Sequence, residues 1–233
     1  MMHAFQNSVF YDVLLPKKVK KSSESTEITL ERSYRYKVDP SSPMDQFDLV
    51  IFDFETTGLN VAADQIIEMG ALRRKPDGTI TEFSTLIDPG QRLPEVTTRI
   101  CGITDDMLKG KPKIHEVMDK FLEFIEGGIL VAHNADFDYP FLKQSCSRLG
   151  KKIDFPCFCT LKMSRKLLPD LESKSLDALA KHYGLEFSAR HRSVGDCEVT
   201  LQVLENLLSS HQDQFQLWKD FQPYGARNSD SKK

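Results

Sequence analysis

The chain has 233 residues, of which 40% are hydrophobic and 28% charged, and its formal net charge at pH 7 is −3. This length and balance suit one well-buried α/β domain with additional terminal segments, and they exclude a disordered, fibrous or membrane chain. The negative charge also argues against a protein that coats nucleic acid nonspecifically, because such binding depends on many Lys and Arg contacts to phosphate.

No run of residues approaches the roughly 18 to 20 apolar positions that a membrane helix needs. Polar residues interrupt the stretch 4–15, so we expect neither a signal peptide nor a transmembrane helix, and no membrane partner. Five cysteines in a chain of this length predict free thiols and a cytoplasmic location. Cys157 and Cys159 stand two positions apart, which favours two thiols on one strand over a metal or redox pair.

Residues 1–45 are predicted to form an N-terminal extension. Its first apolar residues approximate one helical face: Phe5, Val9, Val13 and Leu14. A later set shares one strand face: Ile28, Leu30, Tyr34, Tyr36 and Val38. Packing on the domain surface, as an added edge strand, is the favoured interpretation, with a site for a partner or for self-association as the alternative. The lysine cluster at 17–21 is more typical of a solvated linker than of a nucleic-acid arm.

The compact domain is predicted over 46–210 and begins with three strands. The run 48–54 has few polar interruptions, as expected of a central strand covered on both faces. Two more strands are predicted over 65–72 and 82–87, separated by a turn at Pro76-Asp77-Gly78. We expect these three strands to form an antiparallel meander.

The second half of the domain alternates helices and strands. Apolar residues recur at helical spacing from Ile114 to Ile125, and Ile129–Ala132 follows as a short buried strand. The remaining predictions are a helix over 138–149, a short strand over 155–159, and helices that begin at Leu161, Ser175 and Ser193. A meander followed by such units predicts an α/β fold with a mixed sheet and helices on its faces.

The first candidate site is Asp53-Phe54-Glu55-Thr56-Thr57-Gly58, where the apolar strand ends. Because side chains alternate along a strand, Asp53 and Glu55 project from one face about 7 Å apart. A solvated strand end is the alternative. Two neighbouring carboxylates beside an apolar strand are costly unless a cation lies between them, which favours a metal site.

Two further acidic segments follow regular elements. After the strand Ile129–Ala132 comes Asn134-Ala135-Asp136-Phe137-Asp138, and a helix that starts near Asn134 or Ala135 would place Asp138 at the border of the strand ends. The third segment is His191-Arg192-Ser193-Val194-Gly195-Asp196, with Asp196 in the first turns of an amphipathic helix and His191 in the loop before it.

These three segments together resemble the motifs of the DEDDh family of 3′→5′ exonucleases, in order and in spacing, over about 47–208. The intervening stretch 97–108 is similar to the proofreading branch, which contains the epsilon subunit and the exonuclease domain of bacterial replicative DNA polymerases. The sequence departs from the usual pattern at Cys159, Arg190, Ser193 and Cys197, and none of these departures removes a ligand. The resemblance implies a ribonuclease H-like five-stranded mixed sheet with helices on both faces.

The resemblance also implies a catalytic set. Asp53 would bridge two divalent cations, Mg²⁺ or Mn²⁺, with Glu55 and Asp196 completing the site around the nucleophilic water and Asp138 supporting the other ion. His191 would be the general base, since an imidazole can be neutral near pH 7 and accept a proton. The expected reaction hydrolyses the terminal phosphodiester bond of a single-stranded 3′ end and releases 5′-mononucleotides.

Four further residues are candidates for substrate binding by the same resemblance. Thr56 and Thr57 follow the first carboxylates, Leu59 would wedge against the last base, and Asn134 opens the second motif. Packing of Leu59 within its loop is an equal alternative. An RNA-directed exonuclease with the same ligands stays open, because contacts that distinguish the 2′-hydroxyl are not evident. An inactive nucleic-acid-binding adaptor is a third, less favoured hypothesis.

The tail over 211–233 contains Gln214-Phe215-Gln216-Leu217-Trp218, which resembles the short peptides by which bacterial replication proteins hold the sliding clamp. A polymerase or clamp partner through the terminal segments is therefore a hypothesis. Trp218 and Phe221 stand three positions apart, so the favoured alternative is that the tail packs on the domain.

Overall fold

The computed structural model of the chain describes residues 9–11 and 33–226. Its larger sheet has five strands in the order β5-β4-β3-β6-β8, which confirms the predicted five-stranded mixed sheet. These strands are β3 (Leu49–Thr56), β4 (Ile66–Arg74), β5 (Ile80–Leu86), β6 (Ile129–Ala132) and β8 (Cys157–Cys159). The predicted meander is confirmed, since β3, β4 and β5 pair antiparallel, whereas β6 pairs parallel to both β3 and β8.

The helices of the domain are, in chain order, α1 (Glu95–Cys101), α2 (Asp105–Leu108), α3 (Ile114–Ile125), α4 (Ala135–Arg148), α5 (Thr160–Leu167), α6 (Leu176–Tyr183) and α7 (Ser193–Ser210). Phe54 of β3 packs against Phe121 of α3, so α3 covers the Phe54 face of the sheet. The opposite face is covered by α7, whose Cys197 Sγ lies 3.7 Å from the Gly70 carbonyl oxygen of β4. Helices therefore lie on both faces, as predicted.

Strand β3 is the centre of this arrangement because its side chains are apolar on both faces. Val50, Ile51 and Phe52 are at most 1% exposed, and Phe54 packs with Phe52 at a ring separation of 5.3 Å. Burying such side chains stabilises the fold by about 1.5 to 3 kcal/mol each. The strand is consequently a rigid base for the polar residues at its end.

Gly70 of β4 allows the close approach of α7. A Cβ atom at this position would lie 2.5 Å from the Ser193 Cβ atom, which is closer than van der Waals contact permits. The first turn of α7 can therefore rest directly on β4, opposite Asp53 in the β3–β4 register. This contact places the start of α7 next to the carboxylates of β3.

Several predicted boundaries are corrected by the structure. The strand predicted over 155–159 is shorter, because Pro156 has no N–H to donate and the strand begins at Cys157. The helix predicted over 138–149 begins earlier, at Ala135, which agrees with the start near Asn134 or Ala135 considered for the second acidic segment. Helices α1 and α2 were not predicted. Both Cys157 and Cys159 lie on β8, and all five cysteines are buried free thiols.

The N-terminal extension contributes a second, smaller sheet. Its strands are β1 (Val9–Tyr11), β2 (Ser33–Val38) and β7 (Lys152–Asp154), with β2 between the other two. The helical face predicted around Val9 is wrong at that residue, since Val9 lies in β1. Tyr36 and Val38 are buried, which agrees with packing on the domain, although β2 pairs with β7 and not with an edge of the larger sheet. Phe5, Val13, Leu14, Ile28, Leu30 and the lysine cluster lie outside the described residues.

The tail packs on the domain through the helix α8 (Trp218–Phe221). The Phe221 ring lies 4.9 Å from that of Phe158 on β8, and Trp218 is 7% exposed. The Trp218 backbone N–H donates to the Ser42 carbonyl oxygen, which attaches the tail to the segment before β3. These contacts favour the packing alternative for the segment 214–218. Within 9–11 and 33–226, no helix has the length and apolar character needed to cross a bilayer.

Candidate active site

Asp53 and Glu55 lie at the end of β3 and project from the face that α7 covers. Both side chains are half-buried. Asp196, in the first turns of α7, meets them there, and one carboxylate oxygen from each of the three residues lies within 4.8 Å of the others. The structure thus brings together residues 141 or more positions apart in the chain, because the start of α7 rests on β4 beside β3.

Asp138 reaches the same cleft from the first turns of α4. The side chain is 4% exposed, and its Oδ1 atom accepts a hydrogen bond of 3.2 Å from the Phe54 backbone N–H. The cleft has a volume of about 420 Å³. Its polar lining includes every predicted catalytic residue: Asp53, Glu55, Asp138, His191 and Asp196.

The carboxyl groups in the cleft are short of positive charge. Burial and repulsion from Asp138 and Asp196 raise the pKa of Asp53 well above its ordinary value. Burial, together with Asp196 and Glu68, raises the pKa of Glu55 to about 8. Burial raises the pKa of Asp138 to about 7 despite the hydrogen bond from Phe54. The cleft therefore favours either protons or added cations on these oxygens.

Asp196 shows most clearly that the cleft fits a cation. Its Oδ2 atom accepts a 2.5 Å hydrogen bond from Arg190 Nη1, whereas its Oδ1 atom is buried and has no hydrogen-bond partner in the described part of the chain. A buried carboxylate oxygen without a partner is costly. An oxygen-binding divalent ion would satisfy it, and the all-carboxylate donor set of Asp53, Glu55, Asp138 and Asp196 is of the kind that Mg²⁺ and Mn²⁺ prefer.

His191 lines the cleft from the loop before α7. Its backbone φ is 59°, and it is the one residue other than glycine with a positive φ within 9–11 and 33–226. Such a conformation is uncommon and persists where neighbouring contacts fix it. The adjacent Arg190 and Arg192 both make ion pairs, with Asp177 and Glu68 respectively. The loop is therefore held on both sides of the imidazole.

The four predicted substrate-binding residues lie in different surroundings. Asn134 is exposed and lines the carboxylate cleft, and Thr56 lies beside it with its hydroxyl donating to the Gly58 carbonyl oxygen. Thr57 is buried, and its hydroxyl donates to Asp64, so the structure does not bring this side chain to the cleft. Leu59 is 84% exposed, which contradicts the alternative that it packs within its loop.

A second, apolar cleft of about 310 Å³ adjoins the carboxylates. Leu59 forms part of it together with Val96 and Ile100 of α1, which are 56% and 57% exposed. Ile100 lies within the stretch 97–108 that carries the resemblance and Val96 directly precedes it, but neither was predicted as a site residue. Their signal was weak, because two exposed apolar residues in a seven-residue helix do not form a core pattern. Arg190 and Glu68 were also missed as contacts of the site.

Comparisons with known proteins agree with this geometry. The family model described as Exonuclease, RNase_T, matches residues 50–204. The chain is 38% identical over 161 residues to the DNA polymerase III subunit epsilon of Aquifex aeolicus, a match that covers 68% of this chain and 79% of that protein. It is 40% identical over 158 residues to the PolC-type DNA polymerase III of Clostridium perfringens, covering 68% of this chain but 11% of the length of that relative.

Solved structures give a similar result. Exonuclease X in complex with 5′ overhanging duplex DNA is 28% identical with a TM-score of 0.58, covering 70% of this chain and 93% of that one. Exonuclease I of E. coli in complex with a dT13 oligonucleotide has a TM-score of 0.63 at 18% identity, covering 72% and 42%. The second similarity concerns the fold alone, and it confirms the ribonuclease H-like class predicted from the sequence.

Proposed function

The chain belongs to the exonuclease family RNase_T, and on this premise we propose that it is a DEDDh-type 3′→5′ exonuclease that releases 5′-mononucleotides from single-stranded DNA ends. The observation that carries the proposal is the meeting of the Asp53, Glu55 and Asp196 carboxylates within 4.8 Å, with Asp138 and His191 lining the same cleft. A site with these groups suits phosphodiester hydrolysis, which needs charge neutralisation and a proton acceptor.

Asp53, Glu55, Asp138 and Asp196 would hold two divalent ions, Mg²⁺ or Mn²⁺. When bound, such ions supply a nucleophilic water and stabilise the charge that develops on the phosphate and on the leaving oxygen. The unpartnered Asp196 Oδ1 atom and the raised pKa values of Asp53 and Glu55 support this assignment. By holding the ions, these four carboxylates would fix the place at which a phosphate can bind.

His191 would accept the proton of the attacking water at an imidazole nitrogen. Its place on a loop held by Arg190 and Arg192 supports a fixed direction of approach. A base in this position contributes roughly 10² to 10⁴ in rate. The proton then passes to solvent, and the leaving 3′-oxygen takes a proton from water.

The apolar cleft supports binding of the terminal nucleotides. Leu59, Val96 and Ile100 present exposed apolar side chains next to the carboxylates, and base faces can stack on such surfaces without sequence preference. DNA is favoured over RNA as the substrate because Exonuclease X and Exonuclease I are described in complex with DNA. Thr56 and Asn134 are proposed as polar contacts of the terminal nucleotide.

The test is degradation of matched single-stranded DNA and RNA oligonucleotides labelled at the 5′ end. We expect stepwise shortening of the DNA from its 3′ end, with 5′-mononucleotides as products, in the presence of Mg²⁺ or Mn²⁺. Faster degradation of RNA would assign the RNA alternative. Full activity in excess EDTA would exclude the metal assignment, and binding without any cleavage would support the adaptor hypothesis.

A polymerase is proposed as a partner because relatives of the chain are DNA polymerase III proteins. A cytoplasmic location is proposed because the five cysteines are free thiols. An affinity pull-down with the full chain as bait tests the partner. A sliding-clamp contact through 214–218 would require Trp218 to leave its buried position on the domain. Calorimetric titration of the full chain with the clamp tests that contact, and absence of heat at high micromolar concentration would exclude it.

A further inference from the structure

Glu68 is a buried carboxylate that the proposed chemistry does not use. It lies on β4, directly opposite Glu55 in the β3–β4 register, and it is 3% exposed. A buried carboxylate is costly unless other groups donate to it. The groups that donate to Glu68 therefore indicate what it does.

Both donors come from the start of α7. Arg192 donates from Nε to the two carboxylate oxygens, at 3.0 and 3.1 Å, and also from Nη2. The Ser193 backbone N–H and hydroxyl donate to Oε2 at 3.0 and 3.3 Å. The first N–H groups of a helix have no partner within the helix, and a negative charge there is favourable. Glu68 thus holds the first residues of α7 on β4.

His191 stands immediately before this point of attachment. On its other side, Arg190 donates to both oxygens of Asp177 at 2.7 and 2.8 Å. Gly195 lets the loop fold back over α7, because a Cβ atom there would lie 2.1 Å from the Ala189 carbonyl oxygen. The positive φ of His191 is therefore maintained by contacts of its neighbours.

We propose that Glu68 is a positioning residue, which directs the imidazole of His191 towards the carboxylate cleft by fixing Arg192 and Ser193. This inference rests on the proposed role of His191 as the proton acceptor. Glu68 itself does not line the cleft. Glu68→Gln keeps the size of the side chain but replaces one acceptor oxygen by an amide that faces donors, so the loop loses part of its attachment.

A double-mutant cycle tests the proposal. Glu68→Gln in the wild-type background should lower kcat by about 10- to 100-fold, a loss as large as that on removing an outer-shell partner of a metal ligand. KM and the Mn²⁺ affinity measured by calorimetry should each change by less than about twofold. In the His191→Ala background, the same substitution should change kcat by less than about twofold, because the residue it positions is gone.

Glu205→Gln is the matched control. It breaks another ion pair between β4 and α7, from Arg74 to Glu205, on the helix C-terminal to the site. We expect wild-type kcat for this variant. If Glu68→Gln does not fold, Arg192→Lys enters the same cycle, since it keeps the positive charge beside Glu68 and loses only the forked geometry.

Three outcomes would overturn the proposal. Glu68→Gln and Arg192→Lys with wild-type kcat would show that the attachment is not needed. Equal losses of kcat in both backgrounds would show that Glu68 acts through another group. A His191→Ala variant with wild-type rate would remove both this inference and the base role of His191, whereas the first two outcomes leave the proposed function intact.

Discussion

Arg190 Nη1 donates to Asp196 Oδ2 over 2.5 Å, while the Asp196 Oδ1 atom is buried without a hydrogen-bond partner among the described residues. The two oxygens of one carboxylate therefore have different surroundings. One is fixed by a protein cation, and the other is available to an ion or a proton. This difference distinguishes Asp196 from Asp53 in how each responds to substitution.

Asp53→Asn should lower turnover by at least about three orders of magnitude, equivalent to ~4 kcal/mol of transition-state stabilisation. In EDTA its melting temperature should equal or exceed that of the wild type, because repulsion with Asp138 and Asp196 is removed. Asp196→Asn should also be inactive but less stable than Asp53→Asn, because Arg190 loses one of its two ionic partners and keeps only Asp177. Turnover and thermal unfolding in EDTA check both. A folded Asp53→Asn protein with full activity would remove Asp53 from the ligand set.

His191→Ala should lower kcat by about two to four orders of magnitude, as expected on loss of a general base. The Mn²⁺ affinity, measured by calorimetry, should not change because the imidazole is not a proposed ligand. A folded variant with the wild-type kcat would assign proton transfer to another group.

In EDTA, we expect the wild-type protein to become less stable as pH rises. Glu55→Gln should make this loss of stability smaller. The folded protein, with the pKa of Glu55 raised to about 8, keeps a proton that the unfolded chain releases near pH 4.5. The contribution of this proton to folding stability is therefore complete below the pKa of Glu55 in the unfolded chain. It is lost as pH rises towards the pKa in the folded protein. Asp138, with its pKa raised to about 7, acts in the same direction, and so the wild type should also lose stability over this range.

The measurement is the melting temperature in EDTA from about pH 5.5 to about pH 8. We expect the wild type to fall by at least about 3 °C more than Glu55→Gln, which corresponds to ~1 kcal/mol for a domain of this size. Burial lowers the pKa of His133 to about 4, so its contribution is lost as pH falls and has the opposite sign. Comparing the two proteins cancels that contribution. Parallel curves would contradict the prediction.

Leu59→Ala should raise KM for single-stranded DNA by about 5- to 30-fold, the effect of losing ~1 to 2 kcal/mol of apolar contact. Its melting temperature should not change, because the side chain is 84% exposed in the free protein. Ile80→Ala is the matched control, since Ile80 is 51% exposed on the edge strand β5 and does not line the apolar cleft. An equal KM for both variants and the wild type would remove Leu59 from the substrate contacts.

Trp218→Ala should lower the free energy of unfolding by about 3 kcal/mol or more, because it empties a buried site against Phe158. The melting temperature should fall accordingly, by about 6 °C or more. Leu217→Ala, at a half-buried position, should cost clearly less. A Trp218→Ala protein as stable as the wild type would show that the tail does not contribute to the fold.

The central part of the fold could be predicted from the sequence because its signals are local. The apolar run of β3, the turn at Pro76-Asp77-Gly78 and the amphipathic pattern of α7 each fix an element from neighbouring residues alone. The positions of the acidic residues in the sequence also predicted that they lie at the end of a strand or at the start of a helix. That these carboxylates lie in one cleft was implied by the family resemblance, and the structure gives the distances between them.

Other parts of the fold and of the site depend on contacts between residues far apart in the chain, which the spacing of residue types does not indicate. Glu68 stands between apolar residues of β4, and its partner Arg192 lies 124 positions later in the chain. The strand β1 has three residues and exists through pairing with β2, so its apolar residues could equally suggest a helix. Arg190 could not be assigned to the cleft for a similar reason, because its acceptors Asp177 and Asp196 lie on two different helices.

Asp138 is both a cleft carboxylate and the acceptor for the Phe54 backbone N–H. A descendant chain that no longer cut nucleic acid would still lose stability by replacing it, since a buried N–H would be left without an acceptor. For Asp53 and Glu55 the effect is opposite, because substitution relieves the cost of their burial and their repulsion by Asp138 and Asp196. In inactive descendants of such a chain, Asp53 and Glu55 should therefore drift first and Asp138 last.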